Sequence, residues 1–167
     1  MDVVIVRHAI AEERDALTWP DDARRPLTPA GRERFADAAR GIGVLAPTVD
    51  RLLASPYARA WQTAEILAET AGWPAPEECP ELVPDAPVRL AVGLLASLAD
   101  DAAVAVVGHE PNVTLLAHAL LRPRDAEDVL WFKKGAAACI RCKGGVAPGH
   151  GRLRWLHQPK ALRALAG

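Results

Sequence analysis

The apolar positions change period along the chain: short continuous runs alternate with stretches in which they recur every three or four residues. Val3-Val4-Ile5-Val6 is a β-branched run without charge, the pattern of a strand covered on both faces in a parallel sheet. From Ala11 to Arg25 the chain is acidic and irregular, and Pro20 and Pro26 interrupt any long helix, so a surface loop with at most a helical turn is expected. Thr28-Pro29 reads as an N-cap followed by a proline at the first helical position, and Phe35, Ala38, Ala39 and Ile42 supply an apolar face up to Gly43. Arg51-Leu52-Leu53-Ala54 predicts a second strand. Ser55-Pro56 then repeats the cap-and-proline signature before a helix carrying Ala60, Ala64, Leu67 and Ala68 and closed by Gly72. Prolines 74, 76, 80, 84 and 87 leave a long connection with room only for a short edge strand. Val88 to Leu98 predicts a helix, Ala102 to Val107 the most apolar and central strand, and Pro111 opens a helix that runs to Leu121. Ala136 to Cys142 and Leu153 to Leu156 predict a closing antiparallel pair. Together these elements predict one three-layer α/β/α domain over residues 1–167, with a mostly parallel central sheet.

Composition narrows the function classes. The chain has 167 residues, half of them apolar and a quarter charged, which fits a self-sufficient globular domain and excludes a disordered chain. With 20 Lys+Arg against 21 Asp+Glu the net charge is −1, so there is no global field for nucleic acid or anionic membrane, and neither is an expected partner. Any phosphate recognition must be local. Of the basic residues 16 are Arg, whose planar fork suits phosphate, although a GC-rich genome gives the same bias and is the better explanation for it on composition alone. Cys79, Cys139 and Cys142 are an odd number and point to a reducing, cytoplasmic setting. The C-x-x-C of Cys139 and Cys142 lacks a second pair or a His at ligand spacing and reads as strand, so no metal or other cofactor is expected. No apolar run approaches the ~18 residues needed to span a bilayer, and no export signal is expected.

Ligands of open parallel α/β sheets bind outside the carboxyl ends of the strands. Arg7 and His8 follow the first predicted strand. Ser55 and, one turn on, Arg59 follow the second, and Gly108, His109 and Glu110 follow the central one. Two Arg and two His gathered on one rim would concentrate positive charge and hydrogen-bond donors, and a dianionic phosphoryl group is the natural guest. His118, His150 and His157 have no such context and read as structural.

Val6-Arg7-His8-Ala9, Arg25-Pro26-Leu27-Thr28 with Gly31, Ser55-Pro56-Tyr57-Ala58-Arg59 with Gln62-Thr63-Ala64, and Val107-Gly108-His109 resemble, in order, the motifs of the histidine phosphatase superfamily. The short length, Asp22-x-x-Arg25-Pro-Leu-Thr and Pro80-Glu81-Leu82-x-Pro84 are most similar to its SixA group of phosphohistidine phosphatases. The resemblance implies a phosphoglycerate mutase-like fold and a metal-independent phosphatase. His8 would take the phosphoryl group covalently and pass it to water, with Arg7, Arg59 and His109 around the transferring oxygens. Arg7 beside His8 disfavours the imidazolium and is expected to help keep the nucleophile unprotonated. Arg25 and Glu81 are carried over as candidate substrate contacts, with Asp22 orienting Arg25. The chain departs from the family at Ala9, where glycine is usual, and at Pro84, near the usual position of a general-acid Glu; Glu81 and Asp85 are the candidates that remain. Imidazole is a better leaving group than an alkoxide, so a weak acid favours phosphohistidine in a protein phosphotransfer domain as substrate, with inorganic phosphate as product. A small phosphomonoester, or a noncatalytic phosphate-binding module, are the competing readings.

Overall fold

The computed structural model describes residues 1–121 and 130–167. Six strands form one sheet: β1 (Asp2–Arg7), β2 (Arg51–Ala54), β3 (Pro76–Glu78), β4 (Ala103–Gly108), β5 (Ala137–Cys142) and β6 (Gly151–His157). Their order is β3-β2-β4-β1-β5-β6. The β1–β4, β2–β4 and β2–β3 pairs are parallel, and β5 pairs antiparallel with both β1 and β6. The most apolar strand is thus central and the closing pair lies at one edge, as the sequence predicts. Five α-helices are described: α1 (Pro29–Leu45), α2 (Ala58–Ala71), α3 (Val88–Ala96), α4 (Asn112–Leu121) and α5 (Pro159–Leu165). Among the described residues no helix is long and apolar enough to cross a membrane.

Successive strand residues face opposite sides of a sheet, and the core divides along that period. Val4, Val6, Leu52, Ala54, Ala105 and Val107 pack on one side against Phe35 and Ile42 of α1, Ala64 and Leu67 of α2, and Leu162 of α5. Val3, Ile5, Leu53, Val104 and Val106 pack on the other against Ala91 and Leu95 of α3 and Val113, Leu116 and Leu120 of α4. Cover on both faces is why β1 and β4 read as unbroken apolar runs.

The Thr28 cap forms as expected, its Oγ1 accepting from the Gly31 N–H at 2.9 Å. Two elements differ from the sequence reading. Ser55-Pro56 does not cap α2, which begins at Ala58 behind Tyr57 without a side-chain cap, because the Ser55 hydroxyl is engaged by His109 instead. Helix α5 escapes the pattern altogether: its seven residues contain one buried position, Leu162, too few to display a helical period. It nevertheless completes a layer. α5 sits so close on α1 that a Cβ at Gly41 would lie 1.9 Å from the Leu162 carbonyl oxygen, so only glycine fits there.

Leu162 is fully buried between these helices. Leu162→Ala is expected to destabilise the protein by about 2–5 kcal/mol, read as a lower urea midpoint at unchanged m. A change below about 0.5 kcal/mol would mean that α5 is not part of the core.

Candidate active site

Parallel pairing sets the carboxyl ends of β2, β4 and β1 side by side, with β4 between the others. Arg7 is in register with Gly108 and Ala54 with Val107. The ladder then runs one residue further on each side: the His8 N–H donates to the Gly108 carbonyl at 2.9 Å and the Ser55 N–H to the Val107 carbonyl at 3.0 Å. His8, His109 and Ser55 therefore leave the sheet as neighbours. The two imidazole centroids are 5.1 Å apart, and Ser55 Oγ lies 2.9 Å from His109 Nε2. A cleft of about 680 Å³ opens over them, walled by Arg7, His8, Arg25, Arg59 and His109, so these sequence candidates share one site.

The protonation state of His8 follows from its partners. Its Nδ1 lies 2.7 Å from the Ala9 carbonyl oxygen, which can only accept, so Nδ1 carries the ring proton and Nε2 keeps its lone pair. The next N–H, that of Ala9, donates to Thr63 Oγ1 at 3.0 Å, and the Thr63 hydroxyl donates to the Arg59 carbonyl at 2.7 Å. This chain ties the backbone after His8 to the first turn of α2. Ala9 itself is buried in the core, its methyl accommodated where the family has glycine. Burial, more than any charge, pushes the His8 pKa down to about 3, with Arg59 and then Arg7 adding to it and the Ala9 carbonyl opposing. Arg7 helps to keep His8 neutral, as expected, but desolvation contributes most. His109 is pushed down to about 2, again by burial first and then by His8 and Arg59.

The arginines are held by their outer nitrogens. Arg7 Nη1 donates to the Phe132 carbonyl at 2.6 Å. Arg59 donates from Nη1 to the Asp22 carbonyl at 2.8 Å and from Nη2 to the Asp22 carboxylate at 3.0 Å. Among the described residues that leaves Nε of Arg7 and Nε of Arg59 buried without a partner, and His109 Nδ1 is buried in the same condition. Ser55 Oγ accepts the Tyr57 N–H at 3.4 Å and lies 2.9 Å from His109 Nε2; when its O–H donates to Nε2, the neutral ring carries its proton on Nδ1, an N–H donor. Three buried donors on three strand-end segments thus await an acceptor, and leaving such groups unsatisfied is costly.

Asp22 does more than orient Arg25. Its carboxylate accepts from Arg25 Nε at 2.8 Å while also holding Arg59, and the Arg25 hydrogen bond above all keeps it below the usual carboxylate range. Arg25 Nη1 is fixed in turn by the Glu12 carbonyl at 2.7 Å. Glu81 lies elsewhere. Its Oε2 accepts from Cys79 Sγ at 3.3 Å and it does not line the cleft, whereas Pro84 and Asp85 do. Tyr57 packs edge-on against His109 at 5.3 Å and beneath the Arg59 guanidinium at 5.0 Å. Tyr57, Thr63 and Ser55 stand within the motif that carries the resemblance but had no role assigned there, while Glu110 was marked only by standing at a strand end. Lys134 reaches the cleft from the segment before β5. Among the described residues no three His, Cys, Asp or Glu side chains gather as a metal site. Cys139 and Cys142 are buried in β5, and burial raises both thiols, that of Cys139 to about 11.

A neutral imidazole facing a ring of buried cationic and N–H donors, at the strand ends of a three-layer α/β/α fold, defines a phosphoryl-transfer enzyme. The comparisons agree. The profile of the histidine phosphatase superfamily (branch 1) matches residues 3–83. Phosphohistidine phosphatase SixA of Escherichia coli (strain K12) is 31% identical over 166 residues, 98% of this chain and 97% of its own. An uncharacterized protein of a Picosynechococcus species is 34% identical over 122 residues, 72% of this chain and 73% of its own. The solved structure of the protein histidine phosphatase SixA complexed with tungstate superimposes with a TM-score of 0.84 at 30% identity, covering 97% of this chain and 99% of that one. The mycobacterial glucosyl-3-phosphoglycerate phosphatase, at 18% identity and a TM-score of 0.66, shares the fold. This chain belongs to the histidine phosphatase superfamily, as a phosphatase similar to SixA.

The buried histidines predict acid sensitivity. In the unfolded chain a His takes up its proton near pH 6.5, whereas the folded protein holds His8 neutral down to about 3. Below pH 6.5 the unfolded state therefore binds more protons, and stability falls with pH until about 3. Above pH 6.5 His8 makes no contribution. Between pH 6.5 and 5 the loss is about 1.5–2 kcal/mol per histidine. Urea unfolding in phosphate-free buffer should show a shallower fall over this window in His8→Asn than in the wild type. Equal slopes would mean that His8 protonates in the folded protein.

Proposed function

We propose that the protein removes a phosphoryl group in two steps, without a metal, from phosphohistidine carried by a protein phosphotransfer domain. His8 Nε2 forms an N–P bond as the bond from phosphorus to the substrate's imidazole nitrogen breaks, and that nitrogen leaves with a proton. Water then attacks phosphorus, the His8 N–P bond breaks, and inorganic phosphate departs. Arg7, Arg59 and His109 hold the transferring oxygens through both steps, and Arg25 contributes from the cleft wall where Asp22 fixes it.

The observation that carries this reading is the set of three unpartnered buried donors, Arg7 Nε, Arg59 Nε and His109 Nδ1, beside a neutral His8 whose Nε2 is free. Pre-set donors of this kind act without reorganisation when charge develops on phosphoryl oxygens. The arginines supply the positive charge that other phosphoryl-transfer sites take from Mg²⁺. The leaving group is inferred from the carboxylates. Glu110 is committed to the Thr114 hydroxyl at 2.9 Å and the Phe132 N–H at 3.2 Å, and Asp22 to Arg25 and Arg59, so Glu12, Glu13 and Asp85 are the carboxylates of the cleft wall left as proton sources. With Pro84 near the family's usual position for a general-acid Glu, this arrangement suits a leaving imidazole better than an alkoxide. Similarity to SixA along the whole chain supports the same substrate class. A small phosphomonoester is the second reading, favoured by a cleft of about 680 Å³, a size typical of small-molecule sites.

Brief incubation with a radiolabelled phosphohistidine protein, quenched rapidly, should leave an acid-labile, base-stable label on the wild type and none on His8→Ala. Turnover by a wild type that never labels would overturn the covalent route. Arg59→Ala should lower kcat by about 100-fold or more. A near-normal rate would remove Arg59 from the reacting centre.

A further inference from the structure

A second cavity, of about 670 Å³, opens beside the catalytic cleft and shares Arg7 and Lys134 with it. Its floor is apolar, formed by Ile10, Phe35, Ala38 and Pro159, and its walls carry Arg34 of α1, Lys133 and Lys134 of the segment before β5, and Lys160 and Arg163 of α5. Among the described residues no Asp or Glu lines it. Among the described residues none of those five wall cations is paired with a carboxylate, although Arg14, Arg25, Arg40, Arg51, Arg59 and Arg141 all are.

The groove is a fixed part of the fold. Gly135, at φ +80°, turns the chain so that its N–H reaches the carbonyls of Arg7 and His8, each at 3.1 Å. A Cβ there would come within 3.1 Å of the Phe35 ring. On the other side Gln158 accepts from the Lys133 N–H at 3.0 Å and donates to the Trp131 carbonyl at 2.9 Å, which pins the lysine segment to the start of α5. Lys133 Nζ rests 5.2 Å from the exposed Trp131 ring. The cations are therefore presented in place, along a track that ends at Arg7, one residue from the nucleophile.

Charge distribution selects the occupant. The groove takes Arg7 and the five wall cations out of 20 Lys+Arg, so the remaining 14 face 21 Asp+Glu and the rest of the protein carries a net −7. A protein of net charge −1 offers no extended field to hold a long polyanion, and the single exposed tryptophan is no stacking platform. A short acidic stretch of polypeptide with an apolar side chain satisfies both walls and floor. We infer that this groove docks an acidic segment of the partner protein and so delivers its phosphorylated side chain to His8 past Lys134. This rests on the reading of the substrate as a phosphoprotein.

The test uses two peptides carrying one phosphohistidine, one flanked by Asp and Glu and the other by Ser, with phosphoimidazole as the small probe. The wild type should show a KM for the acidic peptide about tenfold or more below that for the neutral one at low ionic strength, and the preference should shrink as salt screens it. In the doubly substituted R34E/K160E, whose two positions are exposed and outside the catalytic cleft, the preference should vanish while phosphoimidazole hydrolysis stays at the wild-type rate. Equal KM values for the two peptides in the wild type, an equal loss on phosphoimidazole, or stronger competition by a short single-stranded RNA than by the acidic sequence would each overturn the docking assignment. Hydrolysis of a phosphomonoester but of neither peptide nor phosphoimidazole would instead overturn the substrate reading beneath it.

Discussion

The active site depends on the parallel ladder β2–β4–β1. Because β4 is inserted between two strands that precede it in the chain, residues numbered 8, 55 and 109 emerge from adjacent strand ends, and backbone hydrogen bonds continue past the strands to His8 and Ser55. Such bonds fix relative position far more tightly than loops can, since each is set by the spacing and register of the sheet. The imidazoles need no further device to meet. Packing on both faces of these strands keeps the ladder rigid, and the site inherits that rigidity.

Around this frame the protein holds cations in places where water cannot stabilise them. Arg59 is only 4% exposed. Isolated, such a guanidinium would be costly, and its outer nitrogens are accordingly spent on Asp22 and backbone oxygens while the inner ones stay open. The same desolvation forces both histidines neutral. One environment thus produces two effects that phosphoryl transfer needs together, a nucleophile with a free lone pair and donors that gain when negative charge arrives. A near-zero net charge is compatible with this because the cations are sorted in space, into the cleft and the adjoining groove.

Much of the site was legible because each participant directly follows a run of apolar residues. Arg7 and His8 close β1, His109 follows β4, and Arg59 lies one turn beyond β2, so periodicity and the strand-end rule locate them together. Ser55 shows where that reading fails. Ser-Pro is a sound start signal for a helix, yet the hydroxyl has a better use against a buried imidazole, and the helix begins at Ala58 uncapped. Asp22 was visible as a partner for Arg25 three residues on, but its hold on Arg59, 37 residues away, depends on how the acidic loop folds over α2. Glu81 was plausible by proximity to the third strand, and the turn over Pro80–Leu82 carries it to Cys79 instead.

By itself the sequence determined the order of elements, the two-sided burial of β1 and β4, and the residue types at each strand end, because all of these are local and periodic. Tertiary structure decided the remainder: which nitrogen of each histidine is free, which arginine atoms face the cleft, that burial adds more than Arg7 to the lowering of the His8 pKa, and that α5 and the Lys133–Lys134 segment meet α1 to form a cationic groove. Each of those properties is a relation between segments far apart in the chain. Desolvation and hydrogen-bond satisfaction depend on what surrounds a group in space, and no local pattern encodes those surroundings.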